Sequence, residues 1–303
     1  MFHVRSSPFG PLERTELTNP ETGALTAVLP GRGGAVHELR LTRGGAVHAV
    51  LAAEKDPETF LSAGGSAGAK LVPWPNRIRN GEYTFRGRKY QLELNEGSRR
   101  NALHGLLVTQ EMSVMGHRSD EDGCSVILVC RLGKDPGYPF PLLVELTYSL
   151  TSAGFSCETV ARNAGDEPLP FADGWHPYFT LEKPIDALTL DISASRMAVF
   201  DRQMIPMGER GFEFDGLLKG KTFDDCLTLT RGETSLIDQE TGLRLVLWQD
   251  RNYPYLQVYT PPERKSIALE PMSALPDAFR SGQGLRILKP GEEFRGRYGV
   301  RLE

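Results

Sequence analysis

The chain has little that points to a metal, a disulfide framework, a membrane or a nucleic acid. Four cysteines occur among 303 residues. They stand at Cys124, Cys130, Cys157 and Cys226, in or beside apolar runs. That spacing suits neither a zinc site nor a small disulfide scaffold, so reduced, buried thiols in a cytoplasmic protein are expected. The six histidines, at positions 3, 37, 48, 104, 117 and 176, include no close pair of the kind zinc sites use. The net charge is only −4, and the basic residues are scattered. This leaves no electrostatic footprint for nucleic acid and no polybasic segment for a membrane surface. No apolar run approaches the ~18 residues needed to span a bilayer, and the start, MFHVRSSPFGPLERTEL, lacks the apolar core of a secretory signal. The glycine cluster Gly31-Arg32-Gly33-Gly34 is followed by no good helical pattern, so it does not read as a nucleotide loop, and no cofactor is expected. No sequence repeat recurs at a fixed period, which counts against a propeller.

What the chain does have is many short apolar segments punctuated by glycine and proline, with 40% apolar residues to build a core. Short strands are expected across residues 23–53. Residues 80–94 read as a hairpin, with Tyr83 and Phe85 alternating before the turn at Arg86-Gly87-Arg88 and Tyr90, Leu92 and Leu94 after it. An apolar strand is expected at 124–132. Residues 142–150 and 155–162 read as an antiparallel pair joined by Thr151-Ser152-Ala153-Gly154. Further strands are expected at 187–192, 226–230, 243–249, 255–260, 266–270 and 294–302. Only residues 57–63 and a few near 277 invite a helical turn. The pattern argues an all-β protein, a large antiparallel β-sandwich forming one domain over residues 1–303.

Several polar groups sit among these apolar runs, where burial is costly without partners or a task. Arg77 follows Pro73-Trp74-Pro75-Asn76, an extended, irregular stretch that can aim a side chain; such an arginine also commonly pairs with a surface carboxylate. His104, in Leu103-His104-Gly105, reads as an imidazole presented at a strand end by a turn, or as a satisfied core histidine. His176 is held extended by Pro177, and Trp175, Tyr178 and Phe179 around it suit a sugar-binding pocket or a core. Asp224 and Asp225 precede an expected strand. Alternation lets only one of them face a pocket. Gln257 shares a strand face with Tyr255 and Tyr259, a polar-tipped face that suits a cleft or solvent. Glu270 ends the run Ser266-Ile267-Ala268-Leu269. Partial desolvation at that point would raise its pKa toward the range of a general base.

Together these segments resemble the aldose 1-epimerase (galactose mutarotase) family. The matching pieces are Pro73-Trp74-Pro75-Asn76-Arg77-Ile78, Gly81-Glu82-Tyr83-Thr84-Phe85, Leu103-His104-Gly105, Trp175-His176-Pro177-Tyr178-Phe179, Phe223-Asp224-Asp225, Gln257-Val258-Tyr259-Thr260 and Leu269-Glu270-Pro271 through Pro276-Asp277-Ala278-Phe279. They occur in the family's order over about residues 70–280. The resemblance implies a sugar cleft on one face of the sandwich, with Glu270 as general base and His176 as general acid. It implies sugar contacts from Asn76, Arg77, His104, Asp224 and Gln257. One departure is that Asp225 follows Asp224 where galactose-type members often have histidine. The residues around His176 look more like a bacterial branch of uncertain substrate.

The expected activity is interconversion of the α and β anomers of a hexose by ring opening and reclosure, in a monomer or homodimer. An epimerase for a hexose 6-phosphate or another anionic sugar is an alternative. It would need extra cations, with Arg79, Arg99 and Arg100 as candidates. A non-catalytic carbohydrate-binding sandwich would not need both an acid and a base. A glycoside hydrolase would want two carboxylates, for which Asp224 and Glu270 fit less well than the His–Glu combination.

Overall fold

The structure, a computed structural model, describes residues 1–62 and 67–303. Its strand ladders, among the described residues, are antiparallel throughout. A five-stranded sheet is formed in chain order by His3–Phe9, Leu12–Asn19, Ala24–Leu29, Ala35–Arg43 and Ala46–Ala49. The main, twelve-stranded sheet starts at Ser113–Ser119 and runs through Gly123–Leu132, Leu142–Thr151 and Gly154–Asn163. It continues across Glu293–Leu302, Arg244–Gln249, Asp224–Ile237, Tyr255–Tyr259 and Ile267–Met272 to the short Tyr178–Phe179.

Period-two alternation explains why these sheets face each other. In Leu142–Thr151, Leu142, Val144, Leu146, Tyr148 and Leu150 are fully buried while the residues between them are half-buried. Gly154–Asn163 does the same with Phe155, Cys157, Thr159 and Ala161. Apart from Thr159, these side chains share one apolar core with Leu17, Val28, Val36 and Leu39 of the five-stranded sheet. Tyr148 also crosses the interface, its hydroxyl donating to the Gly34 carbonyl at 2.6 Å. Each such buried large side chain contributes about 1.5–3 kcal/mol relative to exposure. The result is the large antiparallel β-sandwich expected from the sequence, and the four cysteines are free and buried within it.

The hairpin of residues 80–94 is present as Glu82–Phe85 and Arg88–Gln91, joined by Arg86 and Gly87, both at positive φ. The pair 142–150 and 155–162 turns at Ser152-Ala153, with Thr151 opposite Gly154. Short helices occupy Pro57–Ser62 and Ala278–Ser281; residue 63 of the expected turn lies outside the described residues.

Other boundaries differ from expectation. Two strands precede residue 23. The strands expected at 187–192 and 226–230 run on as Thr189–Phe200 and Asp224–Ile237. Polar residues such as Ser193, Ser195, Arg231 and Glu233 interrupt their apolar alternation, while the backbone ladder continues through register shifts. Asp224 and Asp225 therefore begin a strand rather than precede it. Glu270 lies inside Ile267–Met272, not at its end.

Gly105 shows how tightly the 71–107 segment is seated. Its φ is +75°, and a Cβ there would lie 2.3 Å from the Val72 carbonyl oxygen. That same oxygen accepts the Leu106 and Leu107 N–H groups at 2.7 and 3.0 Å. Gly105→Ala is expected to destabilise the fold by roughly 2 kcal/mol or more, from a positive-φ penalty plus a backbone clash. Denaturant melts of the two proteins check this, and an unchanged midpoint would contradict the seating described.

Candidate active site

The site is assembled by strand register. Gln257 stands opposite Cys226 on one side and Glu270 on the other, so these three share a face of the main sheet. Asp224, two residues before Cys226, shares it too, while Asp225 does not. Alongside Ile267–Met272 runs the segment 173–179. Gly174 bridges Met272, Tyr178 pairs with Ala268 and Phe179 with Ile267. Carried through, that register sets His176 opposite Glu270. Their side chains meet, with His176 Nε2 3.4 Å from Glu270 Oε1.

The residues around His176 divide by face. Trp175 and Phe179 are fully buried in the core, with Trp175 stacked on Tyr298 at a centroid distance of 4.9 Å. Tyr178 is half-buried and stacks on the His176 ring at 4.9 Å, with Tyr259 beyond it. Of the aromatics in this motif, Tyr178 is thus the one left on the site.

The opposite wall comes from residues 71–107. Asn76 adopts φ 56° and His104 φ 66°, both left-handed, and the His104 N–H donates to the Asn76 carbonyl at 2.9 Å. This aims His104 edge-on at His176, ring centroids 5.0 Å apart. A line of hydrogen bonds links the two walls. The Arg77 N–H and Nη1 donate to Asn76 Oδ1 at 2.9 and 3.2 Å, and Asn76 Nδ2 donates to Gln257 Oε1 at 3.3 Å. Gln257 Nε2 then donates to Asp224 Oδ1 at 2.9 Å. The seven residues singled out from the sequence are thereby brought into one cluster.

Glu96 was not singled out, and nothing in Asn95-Glu96-Gly97 marks it. It accepts Arg77 Nε at 3.1 and 3.0 Å through its two oxygens and Arg77 Nη2 at 3.0 Å. It also accepts Arg99 Nη1 at 2.9 Å and Asn101 Nδ2 at 2.8 Å. Of the cations considered for an anionic sugar, Arg99 is thus tied to Glu96. Arg79 is tied to Asp201 and to Gln203, and Arg100 is exposed.

Burial dominates the electrostatics. Glu270 is 2% exposed, and desolvation, with Asp224 nearby, pushes its carboxyl well above the ordinary 4.5; Arg77 opposes this. Desolvation lowers the His176 imidazole to about 4, helped by Arg77. His104 is held well below the usual range by desolvation, His176 and Arg77. Burial thus favours neutral rings at His104 and His176 and the protonated form of the Glu270 carboxyl, a pair that shares one proton between Glu270 and His176. Glu270 Oε2, His176 Nδ1 and His104 Nδ1 have no protein hydrogen-bond partner. Unpaired buried polar atoms of this kind are costly and uncommon away from functional sites. An acid, a base and amide and carboxylate groups within one cluster suit proton transfer on a polyhydroxylated molecule.

Comparison with known proteins identifies the family. A family model described as aldose 1-epimerase matches residues 13–301. The protein YihR of Escherichia coli K12, whose name assigns no activity, is 32% identical over 243 residues, 75% of this chain and 76% of its own. The aldose 1-epimerase of the same organism is 27% identical over 193 residues, 59% of this chain and 51% of its own. Among solved structures, a galactose mutarotase-like protein of Clostridium acetobutylicum superposes with a TM-score of 0.88 at 19% identity, covering 100% of this chain and 98% of its own. Galactose 1-epimerase of Lactobacillus acidophilus gives 0.80 at 18% identity, covering 100% and 98%. With a family model matched along nearly its whole length and a fold shared with these structures, the chain belongs to the aldose 1-epimerase family.

Proposed function

We propose that this protein interconverts the α and β anomers of a hexose, with Glu270 and His176 as its acid–base pair. The observation that carries the reading is the 3.4 Å approach of His176 Nε2 to Glu270 Oε1 in a buried site. Glu270 takes the proton of the C1 hydroxyl while His176 protonates the ring oxygen, and the C1–O5 bond breaks to give the open aldehyde. Rotation about C1–C2 presents the other carbonyl face. The ring recloses as His176 takes back the O5 proton and Glu270 returns its proton to the new C1 hydroxyl. Protons balance over the cycle.

Ring opening uses the tautomer with Glu270 ionised and His176 protonated, and leaves the reverse. Both tautomers carry one proton, so the competent state is the one-proton pair. Sugar binding favours the charged tautomer, because the C1 hydroxyl donates to Glu270 and the ring oxygen accepts from His176. Gln257, Asp224, Asn76, Arg77 and His104 hold the sugar's hydroxyls. The names of the Escherichia coli aldose 1-epimerase and the pig galactose mutarotase support the reaction type. A hexose 6-phosphate or other anionic sugar is the second reading, for which exposed Arg100 is the cation left unpaired by Glu96 and Asp201.

Anomer exchange measured by NMR on glucose, galactose and glucose 6-phosphate tests the activity and the sugar class together. Glu270→Gln and His176→Ala are each expected to lower kcat by about 10²–10⁴-fold, the usual contribution of general acid–base groups. A purified, folded variant with near-normal turnover would remove that residue from its role. Arg77→Ala should chiefly raise KM, and unchanged KM and kcat would exclude it from sugar binding.

The pH dependence follows from the two shifts. As pH falls through about 4, His176 gains a second proton for the pair and kcat/KM should drop. As pH rises past the raised value of Glu270, the pair loses its only proton and kcat/KM should drop again. A plateau lies between the two limbs.

Stability should move as well. A carboxyl with a raised folded pKa stabilises fully below its unfolded value of 4.5 and loses that contribution as pH rises toward the folded one. Glu270→Gln should therefore gain in melting temperature over the native protein as pH is raised from about 4.5, the unfolded carboxylate value. A gap that does not change with pH would show that burial does not hold Glu270 protonated.

A further inference from the structure

Beneath the site lies a second buried polar group that takes no part in the proposed chemistry. Lys70 and Asp173 are both fully buried. Lys70 Nζ lies 2.7 Å from Asp173 Oδ1 and donates to Asp173 Oδ2 at 2.9 Å and to Thr159 Oγ1 at 3.0 Å. The ammonium also sits 4.9 Å from the centroid of the Tyr298 ring, the ring on which Trp175 stacks. The Tyr253 hydroxyl donates to Asp173 Oδ2 at 2.7 Å. Removing a charged pair of this kind from water costs several kcal/mol per ion, and apolar side chains of similar volume would fill the space.

The pair's position explains its use. Lys70 belongs to the segment that leads directly into Asn76 and Arg77. Asp173 begins the segment that bears His176. Strand Ala69–Lys70 pairs with Trp175–His176, Lys70 opposite Trp175. The Leu71 N–H donates to the Gly174 carbonyl at 2.9 Å, and the Ala172 N–H to the Pro73 carbonyl at 2.7 Å. Asp173 is tied equally to the strand of Glu270. Its N–H donates to Ser273 Oγ at 2.7 Å, and its carbonyl accepts the Ser273 N–H at 2.8 Å. One residue thus fastens all three site-bearing segments, with its carboxylate anchored below by Lys70 and Tyr253, and Lys70 held in turn by Thr159.

We propose that Lys70 and Asp173 are positioning residues: their buried ion pair holds residues 173–176 in place against Ile267–Met272 and so sets the separation of His176 from Glu270. The inference rests on the anomer-exchange reading above. Alternation turns Asp173 and Trp175 toward the core and His176 toward the site, so the pair acts through the backbone and touches no reacting atom. Displacement of an acid by about 1 Å costs on the order of 10²-fold in rate.

The test uses Lys70→Met combined with Asp173→Asn, since removing both charges spares the cost of leaving one buried and unpaired. Tyr253→Phe, which deletes only the hydroxyl that Asp173 accepts, is the milder second variant. Two readouts are taken: kcat, KM and the pH profile of anomer exchange, and the ring ¹⁵N resonances of His176, assigned with His176→Gln. The expected result is a fall in kcat of about tenfold or more in the double variant with KM changed much less, a displaced acid limb, and shifted His176 resonances. Tyr253→Phe should move the same readouts in the same direction by less. A folded variant that melts at a lower temperature yet keeps native kcat, pH profile and His176 resonances would make the pair purely structural and overturn the proposal. Should the native protein accelerate exchange of no sugar, the anomer-exchange reading fails, and the His176 resonances of the variants still decide whether the pair positions that ring.

Discussion

A slip of one residue between 173–179 and Ile267–Met272 would turn His176 to the far side of the sheet from Glu270, because side chains alternate along a strand. Register is therefore the constraint on which the site depends. It is held at both ends, by Gly174 against Met272 and by Tyr178 and Phe179 against Ala268 and Ile267. The apolar side chains facing the core make the slip expensive, since Trp175 and Phe179 would have to leave it. The same packing that stabilises the sandwich thus places His176 opposite Glu270.

That placement carries a thermodynamic cost. Glu270 is surrounded by buried groups and has Asp224 as a neighbour, and Arg77 is the cation that opposes its raised pKa. Glu96 occupies Arg77 with charge-assisted hydrogen bonds from Nε and Nη2. Glu96 thus fixes the guanidinium in place. A site kept poised in this way gives up stability that a better-compensated carboxylate would recover.

The all-β architecture was legible because alternation and turn residues are local signals, strong in stretches such as Leu142–Thr151 and Gly154–Asn163. They failed where polar residues interrupt the pattern of a long strand, as in Asp224–Ile237, whose backbone pairing has no counterpart in side-chain type. Chemistry-bearing residues flanked by apolar runs or prolines, such as His176 and Glu270, stood out because an unpaired polar group is conspicuous there. The choice between Asp224 and Asp225 was not legible. It depends on which face the strand turns to Gln257, a matter of register with a segment more than thirty residues away. Glu96 and the Lys70–Asp173 pair were invisible for a similar reason: each is a short-sequence commonplace until the fold brings its distant partner within bonding distance.

The hydrogen bonds from Arg77 through Asn76 and Gln257 to Asp224 all run in one direction. Each amide accepts on its Arg77 side and donates on its Asp224 side, so a flip of Gln257 would break two bonds and a flip of Asn76 three. The line has a cation at its start and an anion at its end, and hence a polarity of its own. The wall is therefore a vector rather than a patch, its two ends chemically different.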